Sequence, residues 1–252
     1  MTSDAVPEIE AGWALFLDLD GTLLDLAPTP DSVVVPPGLP GLLEQLAAAL
    51  GGALAVVTGR ARETADRLLR PWRPAGGFSH GAELRDAVGH LLDEGALASV
   101  PPSWAARLEQ QATAWPGTIV ESKPHGVALH FRAAPQFAEA ARAAVEALVA
   151  GRTADFEVLP AHMAFEIRPR GVTKARPVEV LMASPPFLGR RPVFVGDDVT
   201  DEDGMAVARR LGGLGLHVGR DFRGGAAEVR AWIARGQARL VETMGEAIHA
   251  RA

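Results

Sequence analysis

Residues 13–25, WALFLDLDGTLLD, decide the fold. The apolar run from Trp13 to Leu17 is unbroken and closes on an Asp-Gly turn, which predicts a strand buried on both faces. Residues two apart on a strand point to the same side, so Asp18 and Asp20 are expected close together at its C-terminal end. Open α/β sheets place their ligands at that end. Gly21 allows the backbone to turn sharply there. Two unpaired carboxylates would repel each other, and a bound cation, a substrate or a proton would relieve them.

Outward from this strand, the spacing of Leu39, Leu42, Leu43, Leu46, Ala47 and Leu50 predicts an amphipathic helix that ends at Gly51-Gly52. A second apolar strand, 54–57, closes on Thr58-Gly59-Arg60, with a helix expected over about 60–70. Strand–helix–strand–helix is the pattern of a parallel sheet with crossover helices. Residues 78–85 read as a loop with a short strand. The pattern changes near residue 104. Strands over 118–122 and 127–132, a helix over 134–149 and a hairpin from 156–159 and 163–168 suggest a small α+β unit with an antiparallel sheet. Helical residues 178–182, strands 192–195 and 214–218, and helices over 227–234 and 237–250 then resume the first pattern. The expected fold is α/β, a Rossmann-like doubly wound parallel-sheet core in two parts, 1–103 and 171–252, with an inserted α+β cap over 104–170.

The chain has 252 residues and 48% hydrophobic content, enough for a sizeable core. No apolar stretch is long enough to span a bilayer, and the acidic start MTSDAVPEIE lacks the basic-then-apolar pattern of a signal peptide. Cysteine is absent, which excludes disulfides, a thiolate nucleophile and Cys-ligated zinc, and fits a reducing cytoplasm. A formal net charge of -6 argues against a general polyanion-binding surface, so neither nucleic acid nor membrane is an expected partner. Oligomeric state is left open, with a monomer as the working expectation.

Four elements carry chemistry. Asp18 could attack an electrophile and Asp20 could shuttle a proton; an Asp-Gly turn that merely closes a core strand is the lesser alternative for the motif taken alone. Thr58-Gly59-Arg60 offers a hydroxyl and backbone N–H groups to an anion, or simply caps a helix. Lys174 could neutralise a phosphate as a point charge, though a lone lysine is usually solvated. The stretch from Asp197 to Asp203 holds five carboxylates in seven residues after an apolar strand. A helix dipole favours Asp201, Glu202 and Asp203 but accounts less well for Asp197 and Asp198. Carboxylate oxygen is what Mg²⁺ prefers. In one parallel sheet these strand ends share a crevice, and the set suits phosphoryl transfer.

In that order, DxDGT, Thr-Gly, Lys and GDDxTDED resemble the four motifs of the haloacid dehalogenase superfamily phosphatases. DLDGTLLDLAPTPD, VVTGR, SHGAELR, VESK followed by HFR, FEIRPRGVTK and GDDVTDED narrow the likeness to the trehalose-6-phosphate phosphatase family. One departure is Ala175, where that family usually has glycine. The resemblance implies that Asp18 is the nucleophile that becomes an aspartyl-phosphate and that Asp20 protonates the leaving sugar oxygen, then activates water. It implies that Thr58 and Lys174 hold the phosphate, with Gly59 and Arg60 beside the substrate. Mg²⁺ would bind Asp18, the Asp20 carbonyl and Asp197, with Asp198 and Asp201 in support. The expected cap strands alternate, with Val127, Leu129 and Phe131 opposite His130 and Arg132, and Met163, Phe165 and Ile167 opposite His162, Glu166 and Arg168. By the resemblance, Glu121, Lys123 and Glu166, with His130 and Arg132, read the sugar phosphate. Phosphatases of glucosyl- or mannosyl-phosphoglycerate or of sucrose phosphate, and a phosphosugar-binding regulator without turnover, are the competing expectations.

Overall fold

The computed structural model describes residues 6–92, 98–123, 125–161 and 163–249. His162 and Ala250, expected in a strand and a helix, lie outside them. In chain order the described strands are β1 (Trp13–Leu17), β2 (Leu54–Val57), β3 (Ala75–Phe78), β4 (Glu83–Arg85), β5 (Leu91–Leu92), β6 (Ile119–Ser122), β7 (Val127–His130), β8 (Phe156–Ala161), β9 (Ala164–Pro169), β10 (Arg191–Gly196) and β11 (Leu214–His217). The described helices are α1 (Leu39–Ala49), α2 (Arg62–Leu68), α3 (Pro102–Ala112), α4 (Ala138–Val149), α5 (Ala175–Met182), α6 (Asp201–Arg210), α7 (Val218–Asp221) and α8 (Gly225–His249). The chain divides into two compact units, Met1–Leu92 with Thr173–Ala252, and Asp93–Val172.

The first unit is built on a seven-stranded sheet in the order β11-β10-β1-β2-β3-β4-β5. Its first five members run parallel, and β4 and β5 extend the edge antiparallel. Every residue of β1 is buried, as its unbroken apolar run requires. Leu15 and Leu17 pack in a layer with Leu43 and Leu46 of α1 and Trp232 and Ile233 of α8. Ala14 and Phe16 pack in a second layer with Val178 and Leu181 of α5 and Met205 of α6. Helices on both faces make the sheet doubly wound, as expected. Each large side chain so buried contributes about 1.5–3 kcal/mol.

The last two expected helices are one. α8 runs through Gly236 without a break. A Cβ at Gly236 would lie 2.6 Å from Ile9 Cδ1, so this glycine serves close packing against the N-terminal segment rather than helix termination. Residues 78–85, expected to hold one short strand, contain a left-handed turn between β3 and β4. Among the described residues no helix is long and apolar enough to cross a membrane.

The second unit is a four-stranded antiparallel sheet, order β6-β7-β9-β8. Val127, Leu129, Phe165 and Ile167 pack in one cluster with Trp104 and Leu108 of α3 and Val145 and Leu148 of α4. Trp104 meets Phe156 edge-on, with ring centroids 5.1 Å apart. The alternation that buries these residues turns Glu121, Ala128, His130 and Glu166 to the opposite face.

Candidate active site

β10, β1 and β2 are neighbours, and Leu17 stands in register with Val195 on one side and Val56 on the other. The residues that follow, Asp18, Thr58 and Asp197, therefore emerge at one edge of the sheet. Asp18 is buried, and its N–H donates to Val195 O at 3.0 Å. Lys174, the residue before α5, is equally buried. Its Nζ donates to Asp18 Oδ1 at 2.8 Å and to Asp201 Oδ1 at 2.7 Å. An ammonium has three donors, so one remains for a further acceptor.

Asp201 is fully buried at the start of α6. Its second oxygen, Oδ2, accepts the backbone N–H groups of Asp197 at 3.2 Å and Asp198 at 3.1 Å. It thereby orders the acidic loop it follows. Asp198 is exposed, and its Oδ1 accepts from Val199 N–H at 2.7 Å. Asp197 is held from the other side: the Thr22 hydroxyl donates to its Oδ1 at 3.2 Å. Gly21 has a φ of +82°, and a Cβ there would collide with the Asp197 carboxylate. Glycine at this position supplies both the turn and the space.

Burial pushes the Asp18 carboxyl well above the usual carboxylate range; Lys174 pulls it down, while Asp201 and Asp197 add to the rise. Burial, then the charge of Asp201, pushes Asp197 up to about 6. Burial disfavours the charged form of Lys174, but Asp18 and Asp201 outweigh it and raise its pKa. Oxygens of Asp18, Asp197 and Asp201 lie within 4.8 Å of one another. A cluster of three oxygen donors, in which the carboxyls of Asp18 and Asp197 are both pushed up, fits a hard divalent cation, which would offset their repulsion.

Asp20 faces Arg60. The guanidinium donates from Nε to Asp20 Oδ2 at 2.6 Å and from a terminal nitrogen to Oδ1 at 2.7 Å. The Arg60 backbone N–H donates to Thr58 Oγ1 at 3.1 Å. That backbone donor is therefore spent within the loop, while the Thr58 hydroxyl keeps its own hydrogen for another acceptor.

The second unit gathers the other expected residues. Across three strands Glu121, Ala128 and Glu166 stand in one row. Lys123 Nζ donates to Glu166 Oε2 at 2.9 Å, both side chains being 6% exposed. His130 Nε2 and Glu121 Oε2 are 2.9 Å apart. Burial raises the Glu121 pKa, but the bond to His130 and the charge of Lys123 outweigh this and leave it lowered. Arg132 is exposed, just beyond β7. Reading the sequence singled out neither Thr22 as a partner of Asp197 nor the Ser79–Gly81 turn; Thr22 stands in the quoted DxDGT motif, and its neighbour in space is 175 residues away.

A family model described as trehalose-phosphatase matches residues 16–230. A probable trehalose-phosphate phosphatase of Sinorhizobium fredii is 43% identical over 208 residues, covering 82% of this chain and 78% of that protein. A trehalose-6-phosphate phosphatase of Escherichia coli is 39% identical over 219 residues, covering 84% and 80%. A solved trehalose-6-phosphate phosphatase related protein shares the fold with a TM-score of 0.73 at 22% identity, over 91% of this chain and 99% of its own. The likeness read from the motifs is borne out, and with it the class of phosphoric monoester hydrolases. The chain belongs to the trehalose-phosphatase family.

Proposed function

We propose that the chain is a Mg²⁺-dependent phosphatase that hydrolyses trehalose 6-phosphate to trehalose and phosphate. The observation that carries this reading is the buried chain Asp18–Lys174–Asp201 beside Asp197. The names of the relatives support the substrate. Asp18 Oδ2, the oxygen not bonded to Lys174, attacks phosphorus. The bond from phosphorus to the sugar oxygen breaks, and that oxygen takes a proton from Asp20. Water then attacks the aspartyl-phosphate, giving its proton to Asp20, and Asp18 is restored. Thr58 and the third Lys174 donor hold phosphate oxygens throughout, where positioning and charge neutralisation supply most of the catalysis. Asp18, the Asp20 carbonyl and Asp197 would hold Mg²⁺, with Asp198 and Asp201 in support. Bound there, the ion offsets repulsion between the nucleophile and the phosphate.

Glu121, Lys123 and Glu166, with His130 and Arg132, supply donors and acceptors suited to a sugar rich in hydroxyls. Gly59 and Arg60 are assigned to the substrate end of the phosphate loop. The units 1–103, 104–170 and 171–252 are proposed as split core and cap, and a cytoplasmic monomer as the working form. Phosphate release from a panel of sugar phosphates, with and without Mg²⁺, tests the reading. Trehalose 6-phosphate should lead the panel only with the metal. Preference for sucrose phosphate or a glycosyl-phosphoglycerate would move the substrate, and no release from any would favour a binding protein.

A further inference from the structure

Ser79 and His80 have φ values of +48° and +58°. Two consecutive side-chain-bearing residues in the left-handed region are costly, and such strain persists where the surroundings over-determine it, often at functional sites. The surroundings here are the phosphate loop. Ser79 N–H donates to Arg60 O at 2.8 Å, and His80 N–H to Thr58 O at 3.0 Å. The His80 ring lies against Gly59, where an added Cβ would stand 2.5 Å from Nε2. On its far side the turn meets the approach to Lys174. Arg176 donates to Gly81 O at 2.7 Å, and a Cβ at Gly81 would come 2.6 Å from Thr173 O and 3.0 Å from Pro177 Cδ. One strained turn thus touches both chain segments assigned to the phosphate.

We propose that His80 is a positioning residue for the phosphate: its ring, pressed on Gly59 by the left-handed turn, fixes the Thr58–Arg60 loop relative to Lys174. The inference rests on the reading that Thr58 and Lys174 hold the phosphate. It accounts for two features that the reaction itself leaves unexplained, the strain at Ser79-His80 and the need for glycine at position 59. A bulkier residue at 59 would displace the ring, and loss of the ring would let the loop drift.

The test uses the full chain with Mg²⁺, inorganic phosphate as inhibitor, and trehalose 6-phosphate and p-nitrophenyl phosphate as substrates. His80→Gly accepts the left-handed conformation and relieves the backbone strain, which offsets part of what losing the buried ring costs. It should nevertheless raise the phosphate inhibition constant about tenfold and lower kcat/KM by a similar factor on both substrates, since small misplacements of anchoring groups cost rate. His80→Ala should share the kinetic defect with a lower melting temperature than His80→Gly. Gly59→Ala should be impaired, and Gly59→Ala with His80→Gly should regain part of that loss because the methyl group then has room. A wild-type inhibition constant in both His80 variants would overturn the proposal, as would a loss confined to trehalose 6-phosphate, which would mean the ring meets the sugar. Thr58→Ala is the control: an unchanged inhibition constant there would refute the phosphate site itself, whereas a raised one beside silent His80 variants would refute only the brace.

Discussion

Arg60 grips both carboxylate oxygens of Asp20, at 2.6 and 2.7 Å. The fork is planar and sets the carboxylate's orientation as well as its place. Arg60→Lys keeps the charge but cannot fill both positions. It should lower kcat on trehalose 6-phosphate by about tenfold or more while leaving the fold intact. Steady-state kinetics beside a thermal melt check this; a wild-type kcat would show that Asp20 works without the clamp.

Lys174 is the only partner that the two buried carboxylates Asp18 and Asp201 share among the described contacts. Lys174→Met should destabilise the chain by about 3–5 kcal/mol in urea unfolding, because it strands buried charge. Asp18→Asn removes one of those charges and should fold well while losing turnover, since an amide is a poor nucleophile of similar shape. If Asp18→Asn releases phosphate at a near-normal rate, Asp18 is not the nucleophile.

Chelation should abolish activity and Mg²⁺ should restore it. The pH dependence of this effect has a definite sign. The proposed metal site uses the Asp197 carboxylate, whose pKa in the metal-free protein is raised to about 6. A carboxyl raised on folding takes up protons in the folded state, so metal-free stability falls as pH rises from its unfolded value through about 6. The gain in melting temperature on adding Mg²⁺ should therefore be small near pH 5 and full above pH 7. A gain independent of pH would remove Asp197 from the metal.

Glu166 and Lys123 form a buried pair, so each sets the other's position before any ligand arrives. Glu166→Ala should lower kcat/KM for trehalose 6-phosphate by roughly 10–100-fold, about 1.4–2.8 kcal/mol. Hydrolysis of a small aryl phosphate should fall much less. The ratio of the two losses is the measurement that matters. Equal losses would make Glu166 a structural residue, and none on the sugar phosphate would mean the sugar is read elsewhere.

What could be read without coordinates was local. The run from Trp13 to Leu17 is buried throughout because its composition allows no exposed face, and Asp18, Thr58 and Asp197 stand directly after such runs. Pairings across the fold were not legible. Arg60 meets Asp20 from 40 residues away, Lys123 meets Glu166 from 43, and Thr22 meets Asp197 from 175. Each depends on strand order and register, which spacing alone does not encode. That the two helices expected over 227–234 and 237–250 are one was not legible for a related reason: a glycine inside a helical pattern, here Gly236, marks either an end or a close neighbour, and only the packing of Ile9 decides between them.

Asp201 spends one oxygen on Lys174 and the other on two backbone N–H groups of the loop ahead of it. The acidic loop is consequently ordered by the polypeptide's own folding. A cation held there as proposed would find this loop already ordered, and would bear less of the conformational entropy of assembling its site. The exchange between metal-loaded and metal-free forms should then proceed without rearranging the main chain, its pace set by how fast the ion sheds and regains water.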